Sequence, residues 1–148
     1  MELSAQYVLE YTYRRSTGTV IGRFLTGLRE GKIEGVRTAS DKVVVPPTEY
    51  DPETGEPVGD FVEVGQSGTV TTWAWVEEPR KGQPLDEPFA WALIKLDGAD
   101  TAMLHAVDAK HAAKMRTGMR VRARWREERV GGIQDIACFD VVEEGGAR

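Results

Sequence analysis

Few residues in this chain could do chemistry. There is one cysteine, Cys138, and two histidines, His105 and His111. A zinc site built from cysteine and histidine would consume all three with nothing to spare. His105 stands between Leu104 and Ala106, and no acid or nucleophile is fixed beside it by spacing, so it reads as a structural histidine rather than a general base. Cys138, between Ala137 and Phe139, reads as a buried, inert thiol, and Asp97 and Asp100 of the LDGAD stretch read as turn formers rather than an acid pair. The sequence holds no phosphate loop, nucleophile elbow or metal-ligand spacing. It does offer arginine and tryptophan. Arg120, Arg122, Arg124 and Arg126 alternate with Val121, Ala123 and Trp125, which on a strand turns the arginines out and the apolar set in. Such a row could meet the phosphates of CoA, single-stranded nucleic acid or acids on a partner, or simply form cross-strand ion pairs. Trp73 and Trp75 share one strand face, and Trp91 on the next strand would complete an aromatic patch if the two strands pair, either as core or as an interface. Arg14 and Arg15, with Arg23 and Arg29 on the helix that follows, form a second basic group.

The elements that must position these groups follow from periodicity. Tyr7, Leu9, Tyr11 and Tyr13 predict an early strand over 6–13. Val20, Ile21, Phe24, Leu25 and Leu28 recur at helical spacing, with Ser16 or Thr17 to cap and Gly31 to stop, and Gly18, Gly22 and Gly27 make that helix depend on docking. Val43 to Val45 predict a short strand ended by Pro46 and Pro47. From Phe61 the pattern is β-rich. It predicts a long strand to Val76 bent near Gly65 or Gly68, strands over 89–96 and 101–107, a short helix from Asp108 to Met115, and strands over 119–127 and 133–142. Five strands with a helix between the third and fourth give the order of an OB barrel. The expected fold is therefore mainly β, with an N-terminal strand, helix and ribbon-like part over 1–60, an OB domain over 61–148 and a loose EEGGAR tail.

Size and charge agree with this. The 148 residues suit one domain with an appendage, and no apolar run nears the roughly 18 residues that span a bilayer. The N-terminus lacks the basic start and apolar core of a secretory signal, and the lone cysteine fits a reducing compartment, so the expectation is a cytoplasmic protein without a disulfide framework. The net charge of −5 hides an asymmetry: 49–63 holds six acids and no base, whereas 110–129 holds eight bases and two acids.

Several segments, in order and spacing, resemble a known family: GRFLTGLREGKIEGVRTASDKVVVPP, DPETG, VEVGQSGTVTTW, PFAWALIKLDGADTAMLHAVD and TGMRVRARW. The family joins an N-terminal helix and a rubredoxin-like zinc ribbon to an OB fold, and the likeness runs from about Gly18 to Val142. The family ribbon reads Cys-x-x-Cys-Gly, two prolines, then Cys-Pro-x-Cys-Gly. At the four ligand positions this chain carries Arg37, Ser40, Asp51 and Thr54, so the resemblance implies a degenerate ribbon that binds no metal. A pairing of Arg37 with Asp51 is the expected replacement.

Members of the family act as small subunits of thiolase-fold enzymes that handle acyl-CoA. The TGTVIGRFLTGLREGKI opening looks most like members from actinobacterial steroid degradation. The resemblance thus implies a non-catalytic subunit in a hetero-oligomer with a thiolase or a lipid-transfer-protein-like aldolase. It would bind no cofactor itself, and acyl-CoA would be the substrate of the complex. The contact candidates are Arg14, Arg15, Arg23, Phe24, Arg29, Trp73, Trp75, Trp91, Arg120, Arg122 and Arg124. The alternatives are a single-stranded nucleic-acid binder using the arginine row, against which the acidic loop and net charge argue, and a free-standing acyl-CoA enzyme.

Overall fold

The computed structural model describes residue 4 and residues 17–143. The early strand expected over 6–13, Arg14 and Arg15, and the tail beyond Glu143 lie outside them.

Helix α1 (Gly18–Arg29) forms where the apolar stripe predicts it and buries Phe24 and Leu28, each side chain contributing on the order of 2 kcal/mol on leaving water. Thr17 is its N-cap residue but makes no side-chain cap bond. At the other end Gly31 takes φ +79, a left-handed conformation suited to glycine, and the Lys32 N–H closes back on the Gly27 carbonyl at 2.9 Å. Three strands follow as one antiparallel sheet in the order β2-β1-β3: β1 (Ile33–Arg37), β2 (Val43–Val44) and β3 (Phe61–Val64).

The long strand expected from Phe61 to Val76 divides in two. β3 pairs with β1, the chain turns at Gly65 and Gln66, and β4 (Ser67–Val76) enters a different sheet. The turn is tight because the Gly65 N–H donates to the Asp97 carbonyl at 2.8 Å, and a Cβ there would stand 3.2 Å from that oxygen.

β4, β5 (Phe89–Leu96), β6 (Met103–Asp108), β7 (Arg120–Trp125) and β8 (Ile136–Val141) close a barrel in the order β4-β5-β6-β8-β7, with β6 and β8 parallel and the other pairs antiparallel. This is the OB order expected from the sequence. The helix expected over 108–115 is shorter: Asp108 ends β6, and only Ala112–Lys114 makes a 3₁₀ turn, with His111 as its N-cap residue. A second 3₁₀ turn, Ile133–Asp135, precedes β8.

One apolar cluster unites the parts. Phe24, Leu28, Ile33, Val45 and Val64 pack in the same cluster as Val70, Ile94, Met103 and Phe139 of the barrel. The β5–β6 turn adds a polar seam. The Val43 N–H donates to the Asp100 carboxylate at 2.8 Å, the Asp100 N–H returns to the Val43 carbonyl at 2.8 Å, and the Val45 N–H donates to the Thr101 hydroxyl at 2.9 Å. Asp97 and Asp100 are thus turn residues, as the sequence indicates.

Candidate functional site

The arginine row lies as expected: Val121 and Ala123 face the barrel and the arginines face out. Two of the arginines are already engaged. Arg120 grips Asp97 with two bonds of 2.8 and 2.5 Å and reaches the Thr69 hydroxyl at 3.1 Å, and it holds the Asp97 carboxyl below its usual range. Arg124 contacts both oxygens of Asp140 and donates to Asp108 at 2.7 Å. Arg122, exposed between Ser67 on β4 and Asp140 on β8, and Arg126, exposed just past the end of β7, keep their outward charge without a carboxylate grip among the described residues.

Asp108, Cys138 and Asp140 bring ligand-type atoms within 4.8 Å of one another. Arg124 and Lys110 already bind those carboxylates, and burial pushes the Cys138 thiol up to about 11. The trio is an ion-pair node beside a protonated thiol.

The expected three-tryptophan patch is split. A β-bulge between Val70 and Thr72 shifts the register, so that Trp73 pairs with Ala92 and Trp75 with Ala90, while Trp91 lies opposite Ala74 on the other face. Trp73 and Trp75 pack against the main core. Trp91 belongs to a small cluster on the outer wall, edge-on to Phe89 at 5.3 Å and beside Cys138, Ala106 and Leu85.

On that outer wall lies a cleft of about 590 Å³ lined mainly by Trp91, Pro84, Leu104, Ile133 and Ile136, with Arg126 at its edge. It opens where β6 and β8 part, since their pairing covers only Val107–Asp108 against Phe139–Asp140. Leu104 and Ile133 are 57% and 45% exposed. His105 borders the cleft but is buried, and its Nδ1 accepts the Ala106 N–H at 2.8 Å rather than facing an acid.

Arg23 is drawn into the fold: it donates to both oxygens of the buried Glu34 at 3.3 and 3.1 Å, with its guanidinium 4.1 Å from the Phe61 ring centre. Phe24, a contact candidate, is 3% exposed and serves the core instead. Arg29 is exposed at the end of α1, where the Arg129 side chain caps its carbonyl at 2.9 Å.

The ribbon positions rearrange. Arg37 pairs not with Asp51 but with Asp41, at 2.9 Å, because it ends β1 on the exposed side beside the tight turn in which Asp41 takes φ +60. Asp51 is 2% exposed and accepts the Ser40 hydroxyl at 2.6 Å, the Ser40 N–H at 2.9 Å and the Glu53 N–H at 2.8 Å. These bonds, Ser40's hydroxyl foremost, lower its carboxyl to about 2. The Thr54 hydroxyl accepts the Glu56 N–H at 3.3 Å.

Residues 61–126 match the family described as ChsH2, C-terminal OB-fold domain. That stretch runs from β3 through β7, so most of the barrel is similar to that domain. A search of curated proteins finds no match. Among solved structures, a chain of the Ltp2-ChsH2(DUF35) aldolase is similar with a TM-score of 0.63 at 19% identity, over 86% of this chain and 98% of that one. A DUF35-family protein of unknown function from Sulfolobus solfataricus is similar with a TM-score of 0.58 at 19% identity, over 72% of this chain and 77% of that one. These likenesses show the shared fold. Within the barrel, sequence reasoning missed Leu104 and Ile133 of the cleft and placed Arg126 only in the outward arginine row. Leu104 alternates with the buried Met103 and His105, a period-two signal that places it outward. Ile133 and Arg126 flank a loop whose course no local pattern fixes.

Proposed function

We propose that this chain is a non-catalytic subunit that docks on a thiolase-fold enzyme and helps to form or stabilise its acyl-CoA site. The partner is a lipid-transfer-protein-like aldolase or a thiolase of steroid side-chain breakdown. The observation that carries the reading is the extent of the likeness: this chain covers 98% of its counterpart in the Ltp2-ChsH2(DUF35) aldolase, so the helix and ribbon are matched together with the barrel. The side-chain chemistry supports it. Arg120 and Arg124 are committed to carboxylates within the fold, and His105 is committed to the backbone. The contacts we assign to the partner are the groups left outward: Arg29, Arg122 and Trp91, together with Arg14 and Arg15 beyond the described residues.

Co-expression with a thiolase-fold aldolase from the same genome tests this. The expected result is a stoichiometric complex, with acyl-CoA cleavage or condensation needing both chains. Recovery of this chain alone at low salt, with the enzyme fully active and equally heat-stable without it, would overturn the reading.

A further inference from the structure

We infer that a buried carboxylate, rather than a metal ion, closes the ribbon of this chain: Asp51 clasps Ser40 across the gap that four thiolates span in the family's zinc knuckles. The inference does not depend on the docking reading. It concerns how the first third of the chain holds its shape.

The residues present do not fit zinc. A structural site needs four nitrogen or sulfur donors, with oxygen at most replacing one of them. Arg37 cannot ligate, and it turns outward to Asp41. The Thr54 hydroxyl is taken by the Glu56 N–H. That leaves one serine hydroxyl and one carboxylate, and these already bond to each other. Asp51 Oδ2 accepts both the hydroxyl and the N–H of Ser40, and Oδ1 accepts the Glu53 N–H. A carboxylate buried to this degree must be supplied with donors, and three converge on it.

The clasp also does what a metal would do mechanically. Ser40 belongs to the turn between β1 and β2, and Asp51 to the loop eleven residues later. A second link of the same span, Lys42 to Glu53 at 2.5 Å, runs parallel on the exposed side. Within the loop, the Gly55 N–H donates to the Asp51 carbonyl at 2.7 Å and the Asp51 N–H donates to the Glu56 carbonyl at 2.7 Å. The carboxylate is thus held at the mouth of its own tight turn and aimed at the facing one. The proline and glycine of the family knuckle, here Pro52 and Gly55, keep that turn, with Gly55 at φ +74.

The test uses the full-length chain. Metal content is measured by mass spectrometry as purified and after adding one equivalent of zinc, and thermal unfolding is followed with and without EDTA. Amide exchange is then compared for Asp51→Asn, Ser40→Ala and the double variant. The expected result is no bound zinc and a melting curve unchanged by EDTA or zinc. Each single variant should speed exchange of amides in 38–59 by about tenfold or more, barrel amides should be spared, and the double variant should be little worse than Asp51→Asn. Stoichiometric zinc, a melt lowered by EDTA, or single variants that leave 38–59 unchanged would each overturn the inference. Should Asp51→Asn not fold, Ser40→Ala and the zinc and EDTA measurements decide it on the same terms.

Discussion

Two buried residues show how single side chains are committed in this protein. Asp135 is fully buried, and its carboxylate gathers the N–H groups of Val130, Gly131 and Gly132 at 2.9, 2.7 and 3.3 Å, which folds the loop before β8. Asp135→Asn should cost about 1–3 kcal/mol, read as a lower urea midpoint, because an amide cannot accept from both sides. His105 supplies the pH prediction. Burial lowers its pKa from 6.5, and hydrogen bonding to the backbone of Ile133, Ala106 and Ile136 offsets part of that shift. The unfolded chain therefore takes up a proton at His105 at a higher pH than the folded chain does. Stability is full above about pH 6.5, falls as the pH drops below it, and has lost the whole contribution below the folded pKa. Melting temperatures between about pH 7 and 5 should show this slope, and His105→Gln should flatten it. The opposite slope, or none, would contradict a buried neutral imidazole. Residue type and neighbours were enough to make Cys138 and His105 structural, because each is an isolated reactive group in an apolar strand. It was not enough to pair Arg37, since which carboxylate a flexible guanidinium finds is decided by a turn in three dimensions.

Elements were legible where periodicity was strong and misread where geometry interrupts it. β5 has the bounds the alternation predicts, and α1 presents the predicted stripe. The barrel order was legible from strand count and the position of the short helical turn. The division of 61–76 was not, because Gly65 marks a close approach to Asp97, in the turn after β5, which is not a local property. The bulge at Val70 and Thr72 is similar: one extra residue reverses the facing of everything after it, and the tryptophan patch dissolves as a result. Gly68 sits just before that bulge, where a Cβ would lie 2.6 Å from the Lys95 carbonyl and 2.9 Å from Ile94 Cγ2. Gly68→Ala should therefore push β4 off β5 and cost on the order of 1–3 kcal/mol, checked by thermal unfolding. An unchanged melt would mean that the two strands approach less closely than described.

At the scale of the molecule, the sheet β2-β1-β3 and the barrel are joined by a shared core and by the Asp100 and Thr101 seam to β2. Replacing Asp100 by Ala and Thr101 by Val leaves the N–H groups of Val43 and Val45 short of acceptors. Faster amide exchange in β1 and β2 than in the barrel should follow, at a cost of about 1–3 kcal/mol per orphaned group. Uniform loosening of both parts would argue against the seam. Outward charge is tested separately: Arg122→Glu should leave the melt within about 0.5 kcal/mol of the parent while weakening capture of the partner enzyme. This partner surface is the part of the site the sequence conveys least. Exposed arginines and tryptophans are visible in the sequence, but which of them the fold spends internally is fixed only by the cross-strand acids they meet.

The sulfur-free knuckle has a consequence for the life of the protein in its cell. A thiolate-bound ribbon is open to peroxide and to competing chelators, and its maturation waits on a supply of the ion. Here the corresponding positions carry a serine, an aspartate, an arginine and a threonine, and the one thiol in the chain is fully buried and held protonated. On the inference of a carboxylate clasp, the nascent chain would reach its shape without a metallation step, and zinc starvation or an oxidative burst would leave that shape intact. A complex of the kind proposed above would then fail under such stress through its larger partner before this chain.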